Sequence, residues 1–230
     1  MSISRKCGEI EFPLMATAVS WHSSTVPALV GLRMAGEFTA NMTLEERALL
    51  HEWSAPCSHI VEFGCGGSTI LFLEGTSAVI DSVDNNRDWV ERISAEPRAA
   101  EAIGNGRLKF CLVDTGPVGK RGFPTDDTTR PLWRSYSCAV WNGLRNPAVD
   151  LVFVDGRFRV ACTLMALLQA LPPAVIAFHD FWTRLERYAD VLRFLDVSGR
   201  AGSLAILSVR QGNDRLELEQ MLQHHLEDPV

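Results

Sequence analysis

Two groups of residues in this chain have the types and spacing to do chemistry. The first is Val61-Glu62-Phe63-Gly64-Cys65-Gly66-Gly67-Ser68-Thr69, with Asp84 twenty residues beyond Gly64. An apolar run passing into a glycine turn and a helix start brings bare backbone close to a ligand and leaves unpaired N–H groups there. An acid at the end of the next strand is placed to take ribose hydroxyls. Together they point to a nucleoside-containing cofactor. The second group is the acids that end later apolar runs, Asp114, Asp155 and Asp180, with His179 beside the last. Strand ends of a doubly wound sheet share one rim, where ligands bind. A histidine next to an acid on that rim makes a general-base pair, because its pKa lies near neutrality.

Only a parallel sheet would bring these residues together, and from Ser58 onward the chain has the alternation of one. His59–Phe63, Ala78–Val83, Leu108–Val113, Asp150–Val154 and Ala174–Phe178 are predicted strands. Between and after them, helical patterns run through Thr69–Leu73, Asp88–Ile103, Val160–Leu171 and Arg184–Phe194, with Pro97 marking a break or a new start. Ser203–Val209 reads as a further strand and Leu216–His225 as a final surface helix. The alternation predicts an α/β fold: a doubly wound, mostly parallel sheet with helices on both faces and an antiparallel edge pair. Upstream, Thr43 and Glu46 form a capping box before the stripe Leu44, Leu49, Leu50 and Trp53, and Val26–Ala35 suggests a shorter helix. The expected organisation is one domain over residues 1–230, with a helical segment over 1–57.

Thr115–Val149 interrupts the alternation. It is rich in glycine and proline and then carries Trp133, Tyr136 and Trp141. An insertion of that length reads as a lid or substrate loop, with a helix over Ser135–Leu144. Trp133 is the aromatic chosen to stack on a sugar or aromatic acceptor; the alternative is that these rings anchor the insertion.

The bulk properties narrow the field. A net charge of -6 with 47% hydrophobic residues describes a folded chain without general attraction to nucleic acid or anionic membrane. No apolar run approaches the roughly 20 residues that span a bilayer. Met1–Phe12 is mixed polar and charged, unlike a secretory signal. The six cysteines are scattered, with no C-x-x-C pair, which disfavours zinc and fits a reducing cytoplasm.

The third glycine of a dinucleotide fingerprint is missing after Gly64-Cys65-Gly66, as is the lysine of a Walker A loop. Glu62, two residues before Gly64, together with Asp84, resembles instead the pattern of class I S-adenosylmethionine-dependent methyltransferases. Asp114-Thr115-Gly116-Pro117-Val118-Gly119, Val154-Asp155-Gly156-Arg157-Phe158-Arg159-Val160 and Phe178-His179-Asp180-Phe181-Trp182 look like those of small bacterial methyltransferase-like proteins. That resemblance runs from about Pro27 to Arg210 and implies a Rossmann-like, seven-stranded sheet. It implies S-adenosylmethionine as cofactor, bound by the loop residues Glu62, Gly64, Cys65 and Gly66, with Ser68 or Thr69 meeting its carboxylate. Asp84 would hold the ribose, and its neighbour Asn85 would also contact the cofactor. Asp114 would meet the adenine amino group or merely cap the Gly116-Pro117 bend.

The catalytic candidates on the rim are Asp155, His179 and Asp180, although His179 could instead cap a loop or stack on Trp182. Asp155 and Asp180 invite comparison with metal-dependent catechol-type O-methyltransferases. The sequence departs from those: Phe181 stands where asparagine usually follows the strand-five acid, and Arg157 and Arg159 crowd Asp155. With only two carboxylates in place, a divalent metal is allowed but disfavoured. Of Arg157 and Arg159, one can pair with Asp155 or Asp180 while the other receives an anionic group of the substrate. The strand-four end also lacks the Asn/Asp-Pro-Pro-aromatic motif of many nitrogen methyltransferases. The expectation is methyl transfer to a hydroxyl of a small acceptor, anionic or sugar-like, by a protein for which a homodimer is allowed. The alternative is a non-catalytic protein that binds the cofactor in a regulatory role.

Overall fold

The computed structural model describes residues 38–144, 148–170 and 174–230. The helix read over 26–35 lies outside the described residues. Helix α1 (Leu44–Ser54) starts at the anticipated capping box: Thr43 accepts the Glu46 N–H at 3.2 Å, and Glu46 accepts the Thr43 N–H at 2.8 Å. Then follow β1 (His59–Phe63), α2 (Gly67–Gly75), β2 (Val79–Asp84), α3 (Arg87–Ser94), α4 (Pro97–Gly104) and β3 (Leu108–Leu112). Pro97 begins α4 instead of kinking one long helix, since a first-turn proline has no intrahelical N–H bond to lose.

The insertion contains short 3₁₀ turns at Lys120–Gly122 and Asp127–Thr129, then α5 (Arg130–Trp133) and α6 (Ser135–Gly143). After it come β4 (Leu151–Val154), α7 (Arg159–Gln169) and β5 (Val175–Phe178). The stretch expected to be one helix over 184–194 is broken into a 3₁₀ turn, a four-residue α8 (Leu185–Tyr188) and a second 3₁₀ turn, Ala189–Arg193. Its buried residues, Tyr188, Val191 and Phe194, fall every third position, and 3₁₀ geometry sets such residues on one face. A strand that the sequence did not reveal, β6 (Leu195–Ala201), pairs with β7 (Leu204–Val209), before the final helix α9 (Arg215–His225). Strand β6 is an edge with exposed Asp196, Ser198 and Arg200 and a bulge between Val197 and Gly199, so it carries little apolar pattern.

The seven strands lie in the order β3-β2-β1-β4-β5-β7-β6. The first five are parallel, and β7 and β6 run antiparallel. The four residues of β4 are fully buried because helices cover both faces of the sheet, which is why parallel strands read as unbroken apolar runs. Strand order reverses at β1, between β2 and β4, and this opens the crevice in which such sheets hold ligands. Register levels the rim. Phe63 pairs with both Val83 and Val154, and Val154 pairs with Phe178, so Gly64, Asp84, Asp155 and His179 leave the sheet side by side.

The second half of the insertion is a packed layer and not a free lid. Tyr136 and Trp133 lie against Phe158 with ring centroids 5.3 and 6.0 Å apart. Trp133 is 3% exposed, and its indole N–H donates to Thr129. The expectation that Trp133 meets an acceptor is therefore corrected: burying its ring in the core outweighs presenting it to a ligand. Among the described residues, no helix is long and apolar enough to cross a membrane.

Candidate active site

The glycine turn is built from beneath by Glu62. This side chain is wholly buried at the end of β1 and accepts hydrogen bonds from Ser68 at 2.5 Å, Thr69 at 2.7 Å and Ser82 at 2.7 Å. Burial pushes its carboxyl up to about 7, against the pull of those hydroxyls. Glu62 thus ties β1, β2 and the start of α2 together below the turn. Gly64 has φ +95°, and a Cβ there would lie 2.5 Å from the Gly156 Cα, so both conformation and space require glycine. Ser68 and Thr69 turn their hydroxyls inward to Glu62, and Thr69 also accepts the Gly66 N–H at 3.0 Å. The hydroxyls are thus spent on Glu62, and a ligand at this turn would meet the backbone N–H groups of the first turn of α2 instead. The Cys65 thiol is buried and raised well above its ordinary pKa by desolvation, which leaves it unreactive.

Asp84 closes β2 with its carboxylate on the cavity wall. Its Oδ1 accepts the Asn86 N–H at 2.8 Å and its Oδ2 the Cys65 N–H at 3.2 Å, while burial raises its pKa. Trp89 on α3 clamps the turn by donating its indole N–H to the Cys65 carbonyl at 2.7 Å. Asn85 donates to Thr115 Oγ1 at 2.8 Å and to the Gly122 carbonyl at 2.9 Å; its buried Oδ1 has no partner among the described residues. Asp114 stands apart from this wall. Its Oδ1 accepts the Gly116 N–H at 2.8 Å, so of the two readings of Asp114 the bend cap is the one with a partner in the structure.

Across the crevice, the ends of β4 and β5 form a linked set of charges. His179 Nδ1 is 3.0 Å from Asp155 Oδ1, and its Nε2 is 3.8 Å from Glu46 Oε2. Burial works against a charged His179 ring, but Asp155, Asp180 and Glu46 together raise its pKa above the usual value. Asp180 adopts φ +63° at the strand end and pairs with Arg159 and Arg184, each at 3.2 Å.

Arg159 is 3% exposed, and each nitrogen of its guanidinium is occupied. Nε bonds the Gly156 carbonyl at 3.1 Å. Nη1 meets the His179 carbonyl at 2.6 Å and Asp180. Nη2 meets the Asp155 carbonyl and Oδ1, both at 3.0 Å. It is the arginine of the pair that bridges the acids, and a role in receiving a substrate anion is corrected for that reason. Arg157 differs. It is 6% exposed, lines the cavity, and lies over the Phe123 ring at 4.2 Å, and its Nε has no hydrogen-bond partner.

Both walls enclose one cavity of about 580 Å³, large enough for a cofactor and a small second ligand. Three contributors were missed in the sequence: Glu46, Trp89 and Arg184. Glu46 was legible only as a helix cap. In the fold it also takes the Ser203 N–H at 2.6 Å and hydroxyl at 2.7 Å, which brings its carboxylate to His179. Nothing in the local spacing of the other two signals a site.

No protein-family model matches the chain, and no curated protein does. Solved structures do. A methyltransferase-like protein from Silicibacter pomeroyi DSS-3 has a TM-score of 0.72 and 28% identity, covering 84% of this chain and 98% of that one. Cofactor-bound Rv0187 from MTB has a TM-score of 0.53 at 17% identity, over 76% of this chain and 85% of its own, a likeness of fold. Together with the sheet order, the glycine turn and the acid ending β2, these likenesses show that the chain has the class I methyltransferase fold and resembles methyltransferase-like proteins in sequence as well.

Proposed function

We propose that this protein binds S-adenosylmethionine and transfers its methyl group to a hydroxyl oxygen of a small, anionic acceptor, with His179 as general base. The observation that carries the reading is the His179–Asp155 pair, 3.0 Å apart, in the same cavity as the glycine turn and Asp84. The residues present fit the cofactor. Asp84 offers carboxylate oxygens for ribose hydroxyls, the unpartnered Asn85 Oδ1 requires a donor of the kind a nucleoside supplies, and Gly64 and Gly66 leave backbone bare. When bound, that cofactor supplies an electrophilic methyl group on a sulfonium.

This chain's own residues do the rest. Asp155 orients the His179 ring through Nδ1. The 3.8 Å gap from Nε2 to Glu46 is too long for a hydrogen bond and leaves Nε2 able to take a proton from an acceptor hydroxyl. Arg157 supports the anionic character of the acceptor. It is a nearly buried guanidinium lining the cavity, and among the described residues neither it nor Arg121, which lines the same cavity, has a carboxylate within 4.0 Å. A buried cation without a counter-ion is costly unless a ligand brings one.

Asp84→Ala is expected to weaken S-adenosylhomocysteine binding by about 1–3 kcal/mol in a calorimetric titration. Unchanged affinity would remove the ribose role. Turnover is tested by following methyl release over a panel of hydroxy acids, phosphorylated alcohols and neutral alcohols. Cofactor binding with no transfer to any of them would leave a binding protein. Arg157→Gln is expected to raise KM for an anionic acceptor at least about tenfold, the effect of losing one charged hydrogen bond, with S-adenosylhomocysteine affinity retained. A fall in that affinity instead would assign Arg157 to the cofactor.

A further inference from the structure

The rim holds a cluster that has the composition of a cation site. Ligand-type atoms of Asp155, His179 and Asp180 all lie within 4.8 Å of one another, a span that one divalent ion bound by oxygen and nitrogen could bridge. A cation already stands there. The Arg159 guanidinium lies 3.0 Å from Asp155 Oδ1 and 3.2 Å from Asp180 Oδ2, and Arg184 adds a second guanidinium to Asp180.

We propose that Arg159 is the resident cation of this cluster, a positioning residue that holds Asp155, His179 and Asp180 in place and makes the site independent of a divalent metal. Three features carry this. Arg159 is 3% exposed and every nitrogen of its guanidinium is held by a partner. Moving it would strip the carbonyls of Asp155, Gly156 and His179 of this donor, and the bond to the His179 carbonyl is buried. An ion placed between the acids would sit beside the Arg159 guanidinium with Arg184 close by, two like charges that oppose it.

The arrangement also explains how the histidine is aimed. Asp155 Oδ1 receives both Arg159 Nη2 and His179 Nδ1, each at 3.0 Å, while Arg159 Nη1 grips the His179 carbonyl at 2.6 Å. One planar guanidinium therefore fixes the histidine at its backbone and, through the shared carboxylate, at its ring. A spherical ion could meet the carboxylates but would not supply this set of directed donors.

The test reads metal binding and histidine titration, neither of which depends on the methyl-transfer reading. Manganese(II) is added to the protein at millimolar concentration and the signal of the free aquo ion is followed by electron paramagnetic resonance. The wild-type protein is expected to leave that signal undiminished. Binding that disappears in Asp180→Asn would overturn the proposal. Arg159→Ala, if it unfolds cooperatively, is expected to gain manganese binding and to lose it again in the double variant with Asp180→Asn. A folded Arg159→Ala that takes up no manganese would equally overturn it. Arg159→Lys keeps a charge but not the fork. It is expected to bind no metal and yet to shift the His179 titration seen by NMR, and an unshifted titration would sink the positioning role.

Discussion

Replacing Glu62 with alanine is expected to lower the free energy of unfolding by about 3–5 kcal/mol and to abolish measurable cofactor binding. The change leaves the hydroxyls of Ser68, Thr69 and Ser82 buried without their acceptor and opens a void beneath the glycine turn. Urea unfolding, with S-adenosylhomocysteine titration in parallel, measures both effects. A loss below about 1 kcal/mol, the size of one ordinary hydrogen bond, would show that the network is dispensable.

Glu62 also sets a pH dependence. Its folded pKa is raised from 4.5 to about 7, so the stability it contributes is present below 4.5 and is lost as pH rises through about 7. His59, held by its hydrogen bond to Asp81, and His179 have raised values too. Their contribution is present below 6.5 and is likewise lost above it. Stability is therefore expected to fall as pH rises from about 5 to about 8, and Glu62→Gln should flatten the first part of that fall. A profile that climbs over the same interval would contradict the assignment.

His179→Asn is expected to cut turnover by about 10²–10⁴-fold, the usual worth of a general base, while cofactor affinity holds. Asparagine keeps a polar group near Asp155 but cannot take the acceptor's proton at neutral pH. In the wild-type protein the rate should rise with pH through a group titrating above 6.5, because His179 must be neutral to act and its neighbours favour the charged ring. Asp155→Asn removes the nearest of those acids, so it should move this limb to lower pH and also reduce the rate by loosening the ring. Single-turnover rates across pH check both. A rate limb that does not move in Asp155→Asn would relocate the base.

Much of the architecture was legible because its causes are local or periodic. Strands β1 to β5 are covered on both faces, so they stand out as apolar runs. Gly64 needs a positive φ and closest approach, and that chemistry admits one residue type. The Thr43–Glu46 box and the start at Pro97 depend only on neighbours within a turn. Strand β6 was hidden because an exposed edge needs no apolar pattern, and the broken helix near Tyr188 because a spacing of three looks helical until its turns are seen to tighten.

Trp133, Arg157 and Arg159 show where local reading stops. Each was a candidate substrate contact, but residue type could not say which arginine would pair with the acids or whether the indole would anchor the insertion. Trp133 is buried by Phe158, Arg159 is consumed by acceptors from two strands, and only Arg157 faces the cavity unpaired. Arginine and tryptophan have long reach, and which partner each meets depends on how distant elements dock. The placement of Glu46 makes the same point, since its carboxylate meets His179 and Ser203, residues more than a hundred positions away.

The sequence by itself determined the parallel strands β1 to β5, the glycine turn, and the identity of the acids and histidine at the strand ends, because backbone conformation and strand burial restrict residue type position by position. Only the tertiary structure decided what those groups do to one another. It placed Glu62 beneath the turn as its anchor, left Asp84 and Asn85 facing the cavity, and set Arg159 between Asp155 and Asp180. The reason is physical: a side chain's charge state and function are set by its desolvation and its partners, and both exist only once the strands have brought remote residues to one rim.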